Sequence, residues 1–326
     1  MNHKERIETC LEGKPVDRVP VALWRHFPVD DQDPRRLAQA TLNYQNTYDF
    51  DLVKVTPASS FCLKDWGVED EWRGSTEGTR DYVIRVIEEP DEWARLPVLD
   101  PSRGHLADQI DCLKMITSEL GRDTPVIQTI FNPLSQAKNL AGEDTLILHL
   151  RKFPEALRAG LEIITESTRR FVAALQGIGI AGLFYAVQHA QYGLLTPQEY
   201  NTFGRSYDLV LLETAQTYWL NVLHLHGENV MFDLLADYPV SVMNWHDQDT
   251  DPSLAEGLKR FPGAVCGGLK REKTIVLGNP EQVRAEALEA IRNTGGLRFI
   301  LGTGCVVPIM APFGNLKAAR ESVEPR

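Results

Sequence analysis

Two imidazoles stand two residues apart in Leu223-His224-Leu225-His226-Gly227. On an extended strand, residues i and i+2 project from the same face, so both rings can reach one ion, and neutral imidazole is a common zinc ligand. A third donor is available far along the chain. Cys305 lies in Gly302-Thr303-Gly304-Cys305-Val306-Val307-Pro308, a thiol in a glycine-flanked turn, and thiolate binds zinc well. Two or three protein ligands with one open position make a catalytic rather than a structural metal site. His246, in Asn244-Trp245-His246-Asp247, is open to three readings: a fourth ligand, an acid or base, or a substrate contact, with a plain structural role of equal weight. His189 is the other acid or base candidate.

These residues need elements that bring them to one place. Short apolar runs alternate with longer amphipathic stretches almost from end to end, the pattern of βα units around a parallel sheet. The candidate strands are 19–23, 51–55, 125–130, 181–187, 222–225, 240–244, 264–268 and 298–301. Helical patterns include 34–47, 154–176, 197–218, 252–261, 280–294 and 315–323. Thr196-Pro197-Gln198-Glu199 and Asn279-Pro280-Glu281-Gln282 suit helix N-termini. Residues 69–99 break the alternation and read as an insertion, with a hairpin over 82–88 and a short helix. Alternation alone does not separate a closed barrel from a doubly wound open sheet. The first strand, however, runs into Trp24-Arg25-His26-Phe27 and not into a glycine-rich phosphate turn. The expected fold is therefore one (β/α)8 barrel spanning the chain.

In such a barrel the residues just past the strand ends form the active-site face. That filter selects Trp24, Arg25 and His26 after the first strand, Lys54 and Thr56 at the second, Asn132 after the third, and Gln188, His189 and Tyr192 after the fourth. The fifth strand contributes His224 and His226, the sixth Asn244, Trp245 and His246, and the eighth is followed by Cys305. The two tryptophans read as apolar pocket walls. Arg25 reads as a carboxylate binder that orients substrate with Gln188.

Composition narrows the function classes. The 326 residues carry a net charge of −11, which repels nucleic acid and anionic lipid alike. No apolar run approaches a membrane span, the N-terminus lacks a secretory pattern, and a cytoplasmic protein is expected. Five scattered cysteines in such a chain read as free thiols.

The order of several short motifs resembles the uroporphyrinogen decarboxylase superfamily, and within it the cobalamin-dependent methyltransferase branch. They are Lys4-Glu5-Arg6, the stretch Gly13 to Pro20, Leu223 to Gly227, Asn244-Trp245, Gly267-Gly268-Leu269, Asn279 to Val283, and Gly302 to Pro308 with Pro312 and Asn315. The resemblance implies a (β/α)8 barrel. True decarboxylases carry a second arginine after the first strand, an aspartate after the second, a tyrosine after the third, a serine after the fourth and a histidine after the last. Here Arg25 matches the first arginine; the second has no counterpart, the aspartate is missing from Val55 to Ser59, the tyrosine position falls near Ala137-Lys138, and Ala190 and Thr303 stand at the last two. The thiol methyltransferases hold zinc with a His-x-Cys pair and a later cysteine. His224 and Cys305 match the outer two, and His226 replaces the middle cysteine.

The resemblance thus implies a zinc-dependent methyltransferase moving a methyl group between a small substrate and a thiol or a corrinoid (methylcobalamin) carried by a partner protein, in either direction. A homodimer is entertained as the assembly. Uroporphyrinogen decarboxylation, as in porphyrin biosynthesis, is the alternative, and a noncatalytic small-molecule-binding barrel the second. An amidohydrolase-type site ranks last, because it places its His-x-His on the first strand.

Overall fold

The computed structural model describes residues 1–324. Nine strands follow in chain order: β1 (Val53–Val55), β2 (Glu69–Glu71), β3 (Asp81–Ile84), β4 (Val126–Phe131), β5 (Gly182–Val187), β6 (Val222–Leu225), β7 (Val242–Trp245), β8 (Ala264–Leu269) and β9 (Phe299–Thr303). Seven form one curled parallel sheet in the order β1-β4-β5-β6-β7-β8-β9, while β2 and β3 pair antiparallel on their own. Every residue of β4, β5, β6, β7, β8 and β9 is buried. Burial on both faces is why these strands read as continuous apolar runs and not as alternating ones.

The first candidate strand is reduced to a single bridge, Val21 to Leu301. Pro20 offers no N–H, which limits the ladder that this segment can make. It still bonds on both sides: Ala22 N–H donates to the Leu301 carbonyl (2.9 Å), Leu301 N–H to the Pro20 carbonyl (2.8 Å), and Asp51 N–H to the Val21 carbonyl (2.8 Å). The segment therefore lies between β9 and the approach to β1.

Helices cover the sheet where the amphipathic patterns predict them. Pro280–Thr294 begins with a capping box in which Asn279 and Gln282 satisfy each other's backbone N–H groups. Ser253 and Glu256 do the same one residue after Pro252, so that helix starts at Leu254. The pattern over 197–218 is not one helix. It passes from Pro197–Tyr200 through a π-helical turn, Asn201–Arg205, into Ser206–Thr214. Gly204 lies in that turn, where a side chain would strike the Tyr200 ring at 2.5 Å. The packing brings the Tyr200 hydroxyl to Asp208 Oδ2, 2.5 Å away. The insertion is a hairpin as expected, but its strands are β2 and β3, and the expected short helix is the 3-10 turn Pro90–Arg95. Turn residues between Trp72 and Arg80 separate the two strands, so pairing is less local than 82–88. Among the described residues no helix is long and apolar enough to cross a membrane.

Candidate metal centre

His224 is on β6, with its backbone in register with Asn244 on β7, which in turn pairs with Cys266 on β8. Extending the same register by two residues sets His226 beside His246, each just beyond its strand. The His226 N–H donates to the Val187 carbonyl (2.9 Å), continuing the ladder past the end of β6. Cys305 arrives from the turn after β9. That turn passes so close to β7 that a side chain on Gly304 would lie 2.5 Å from the Trp245 carbonyl oxygen. The glycine is what admits the thiol.

One ligand atom from each of His224, His226, His246 and Cys305 lies within 4.8 Å of the others. His246 Nε2 is 3.3 Å from His226 Nδ1, and Cys305 Sγ is 3.8 Å from that same nitrogen. Donors bound about 2.0–2.3 Å from a tetrahedral zinc ion stand about 3.3–3.8 Å apart. The two separations to His226 Nδ1 match that spacing, and the four donors have the chemistry to hold zinc.

Asn244 settles which nitrogen of His224 is free. Its Nδ2 donates to two carbonyls, Cys266 (2.8 Å) and Thr303 (3.0 Å), so its Oδ1 must face the imidazole. That oxygen is 2.7 Å from His224 Nδ1 and can only accept, so Nδ1 carries the hydrogen and Nε2 keeps its lone pair. Burial, together with the neighbouring His226 and His246, holds the His224 pKa well below the usual histidine value. Burial also lowers that of His226, against the pull of Glu77. Both rings are thus neutral, the state that binds metal.

His224, His226 and Cys305 line a cavity of about 310 Å³, together with Trp24, His26, Lys54 and Gln188. With Thr56, these eight are the expected strand-end residues that the structure brings together. Phe184 stacks on His224 at 5.2 Å between centroids and meets Trp24 edge-on. Lys54 Nζ lies 4.5 Å from the Phe184 ring centre and donates to Thr56 Oγ1 (3.1 Å). Burial lowers its pKa to about 7, partly offset by Cys305. Burial, with Lys54 nearby, lowers the pKa of His26 to about 3.

Seven of the expected substrate or acid–base residues do not line this cavity, His246 among them. Asn132 is fully buried, capping the next helix through Ser135 and donating to Asp208 (3.0 Å). Asn244 orients His224, as just described, and is not a cavity wall. Trp245 alternates outward from Asn244, stacks edge-on with Phe232, and donates to the Pro252 carbonyl. Arg25 turns to the His26 carbonyl and the Phe27 ring. Tyr192 is 58% exposed, beyond the cavity. His189 is buried behind it, its Nε2 3.5 Å from Glu143, an ion-pair distance without hydrogen-bond alignment. Burial lowers its pKa despite Glu143. His246 is not a cavity residue either; it meets the other donors as a ligand atom.

The residues missed from the sequence come mostly from the insertion: Glu77, Arg80, Tyr82 and Arg85 line the cavity, as does Lys138. Nothing local marked them, because a hairpin inserted between βα units has no fixed place on a barrel.

The uroporphyrinogen decarboxylase (URO-D) family model matches residues 2–325. The chain is 23% identical to the "Methylcobamide:CoM methyltransferase MtaA" of Methanosarcina barkeri, over 97% of this chain and 95% of that protein. It is 21% identical to the "Methylcobamide:CoM methyltransferase MtbA" of Methanosarcina acetivorans, over 96% and 95%. A solved "methyltransferase from Methanosarcina mazei" superposes with a TM-score of 0.87 at 20% identity, covering 99% of this chain and 98% of its own. The relatives that match it over nearly its whole length are named methyltransferases, and the chain belongs to the uroporphyrinogen decarboxylase (URO-D) family.

Proposed function

We propose that this chain is a zinc-dependent methyltransferase that moves a methyl group between a small substrate and a corrinoid or thiol, in a single closed (β/α)8 barrel. Support for closure is the bonding of Pro20–Ala22 to β9 on one side and of Val21 to Asp51 on the other. The observation that carries the function is the convergence of four donor atoms at one end of the cavity. His224, His226 and Cys305 would hold the metal from the cavity side, and His246 would complete the shell until a substrate thiol or oxygen takes its place.

Bound zinc would lower the pKa of such a thiol or hydroxyl, and with one thiolate ligand instead of two it would do so as a stronger Lewis acid. The protein's own contribution is positional. Asn244 holds the His224 lone pair in place. Trp24 and Phe184 exclude water around the reacting end. His26, neutral at physiological pH, accepts but does not supply charge there. The positions where decarboxylases carry serine and histidine hold Ala190 and Thr303, and the Thr303 hydroxyl is spent on the Cys305 carbonyl (2.6 Å).

Metal analysis of tag-free protein tests the reading, beside His226→Ala and Cys305→Ser. Near-stoichiometric zinc lost in both variants, with demethylation of free methylcobalamin by the parent in the presence of small thiols, is the expected result. Folded protein that takes up no zinc even when it is supplied overturns it.

A further inference from the structure

A thiolate that holds a metal is still a nucleophile. In a site that passes a methyl group to sulfur, Cys305 competes with any substrate thiol, and once methylated it would lose the charge that binds zinc. The residue placed to restrain it is Arg271. Leu269 on β8 is in register with Thr303 on β9, so extending the pairing by two residues sets Arg271 beside Cys305, just past the strand ends. Its guanidinium is largely buried and anchored on three sides. Nη1 donates to the carbonyl of Val306 (3.4 Å), the residue after the cysteine, and pairs with Glu77, while Nη2 pairs with Glu272 (3.2 Å). Glu77 is fixed in turn, because the preceding Thr76 carbonyl accepts from the Ile309 N–H (2.8 Å). The remaining donor, Nε–H, is buried and has no hydrogen-bond partner among the described residues. Burial opposes the Arg271 charge, but Cys305 does most among its neighbours to favour it, ahead of Glu77, and its pKa is raised. A buried N–H without an acceptor is costly, and an ionised sulfur beside it would be a charge-assisted one.

We infer that Arg271 is a positioning residue whose Nε–H donates to the ionised Cys305 sulfur, so that a methyl group passes to the substrate and not to Cys305. The inference rests on the zinc methyltransferase reading proposed above. A hydrogen bond from a guanidinium draws electron density from sulfur, and thiolate nucleophilicity falls with basicity. In the productive step the substrate sulfur forms the new S–C bond, while the donor's bond to methyl breaks and the donor keeps the electron pair. The step that Arg271 suppresses is the same exchange at Cys305 Sγ. Cys305 supplies the one sulfur among the four converging donors, so one hydrogen bond suffices.

Methyl iodide offered to zinc-loaded, tag-free protein without substrate tests this: the S–C bond forms at Cys305 and iodide leaves, and peptide mass spectrometry follows the product. Zinc content is read on the same samples. Arg271→Met should be methylated at Cys305 about three- to tenfold faster than the parent at equal zinc occupancy. Arg271→Lys, which keeps the charge without the guanidinium fork, should fall between the two, and serves alone if the Met variant does not fold. With cobalt in place of zinc, the sulfur-to-metal charge-transfer band should move to lower energy in the variants, a change that an arginine serving only the packing would not cause. Folded variants methylated no faster than the parent at full zinc occupancy overturn the inference and leave the metal centre standing. So does a charge-transfer band that does not move. Parent protein that binds no zinc overturns the metal reading, and this inference with it, and the zinc content tells the two failures apart.

Discussion

The two ends of the strands treat buried charge in opposite ways. At the N-terminal end Asp51 is fully buried and saturated: Arg6 and Arg18 each donate at 2.6 Å, His3 at 2.8 Å, and the Val21 N–H at 2.8 Å. Burial alone would raise its pKa, but the bonds from His3 and Arg18 bring it down to about 2. At the C-terminal end Lys54 is nearly as buried and has one hydroxyl for company, while four metal-binding atoms face one another. A polar cluster that satisfies itself contributes stability and has nothing left for a ligand. One that does not satisfy itself costs stability until a ligand completes it.

Substitutions can break that contrast. The largest effect should come from Asp51→Ala, which strands two guanidinium groups and should destabilise the fold by about 3–5 kcal/mol in chemical denaturation, with zinc per folded molecule unchanged. In the parent, the folded pKa of Asp51 is depressed, so its stabilisation is present above the ordinary carboxylate pKa of about 3.9 and is lost as pH falls towards about 2. A pH series of unfolding midpoints that stays flat in this window for the parent, relative to the variant, would refute that account.

Next, Cys305→Ser should weaken zinc binding by about 100-fold or more while changing stability of the metal-free protein little, and competition with a chromogenic chelator measures it. Asn244→Leu touches no metal but frees His224 to adopt the wrong tautomer, and should cost about 10- to 100-fold in the same assay. His246→Ala should cost less than Cys305→Ser if, as proposed, His246 is the donor that yields to substrate; an equal loss would mean a closed, structural shell.

The smallest effect has the opposite sign. Lys54→Met removes an unpaired buried charge and should raise the melting temperature of metal-free protein slightly. The folded pKa of Lys54, about 7, lies below its unfolded value of about 10.4, so the unfolded chain binds more protons between them. Stability of the parent should therefore rise with pH across that window, and this component should be absent from the variant.

Local chemistry was legible in advance. Proline and capping residues marked the helix starts at Pro280 and Pro197, and β6 lies where its apolar run predicts, over Val222–Leu225. The His-x-His spacing alone put two imidazoles on one side of that strand. Trp24, His26, Lys54 and Gln188, expected where strand ends open on the active-site face, line the cavity. The misreadings have one origin. Asn132, Asn244 and Trp245 sit at strand ends too, and only the packing shows that they serve a helix cap, an imidazole and a carbonyl of the chain itself.

The amino-acid order therefore determined the alternation of strands and helices, the i, i+2 pairing of His224 with His226, and the family pattern, since each depends on residues near in sequence or on motif order. The tertiary structure decided the rest. Strand register made Asn244 the partner of His224 and set His246 against His226, the turn at Gly304 carried Cys305 across 79 residues to His226, and the inserted hairpin brought Arg85 to a wall where Lys54 has no counter-ion. Register, close approach and the absence of a counter-ion are relations between distant segments, and no local propensity encodes them.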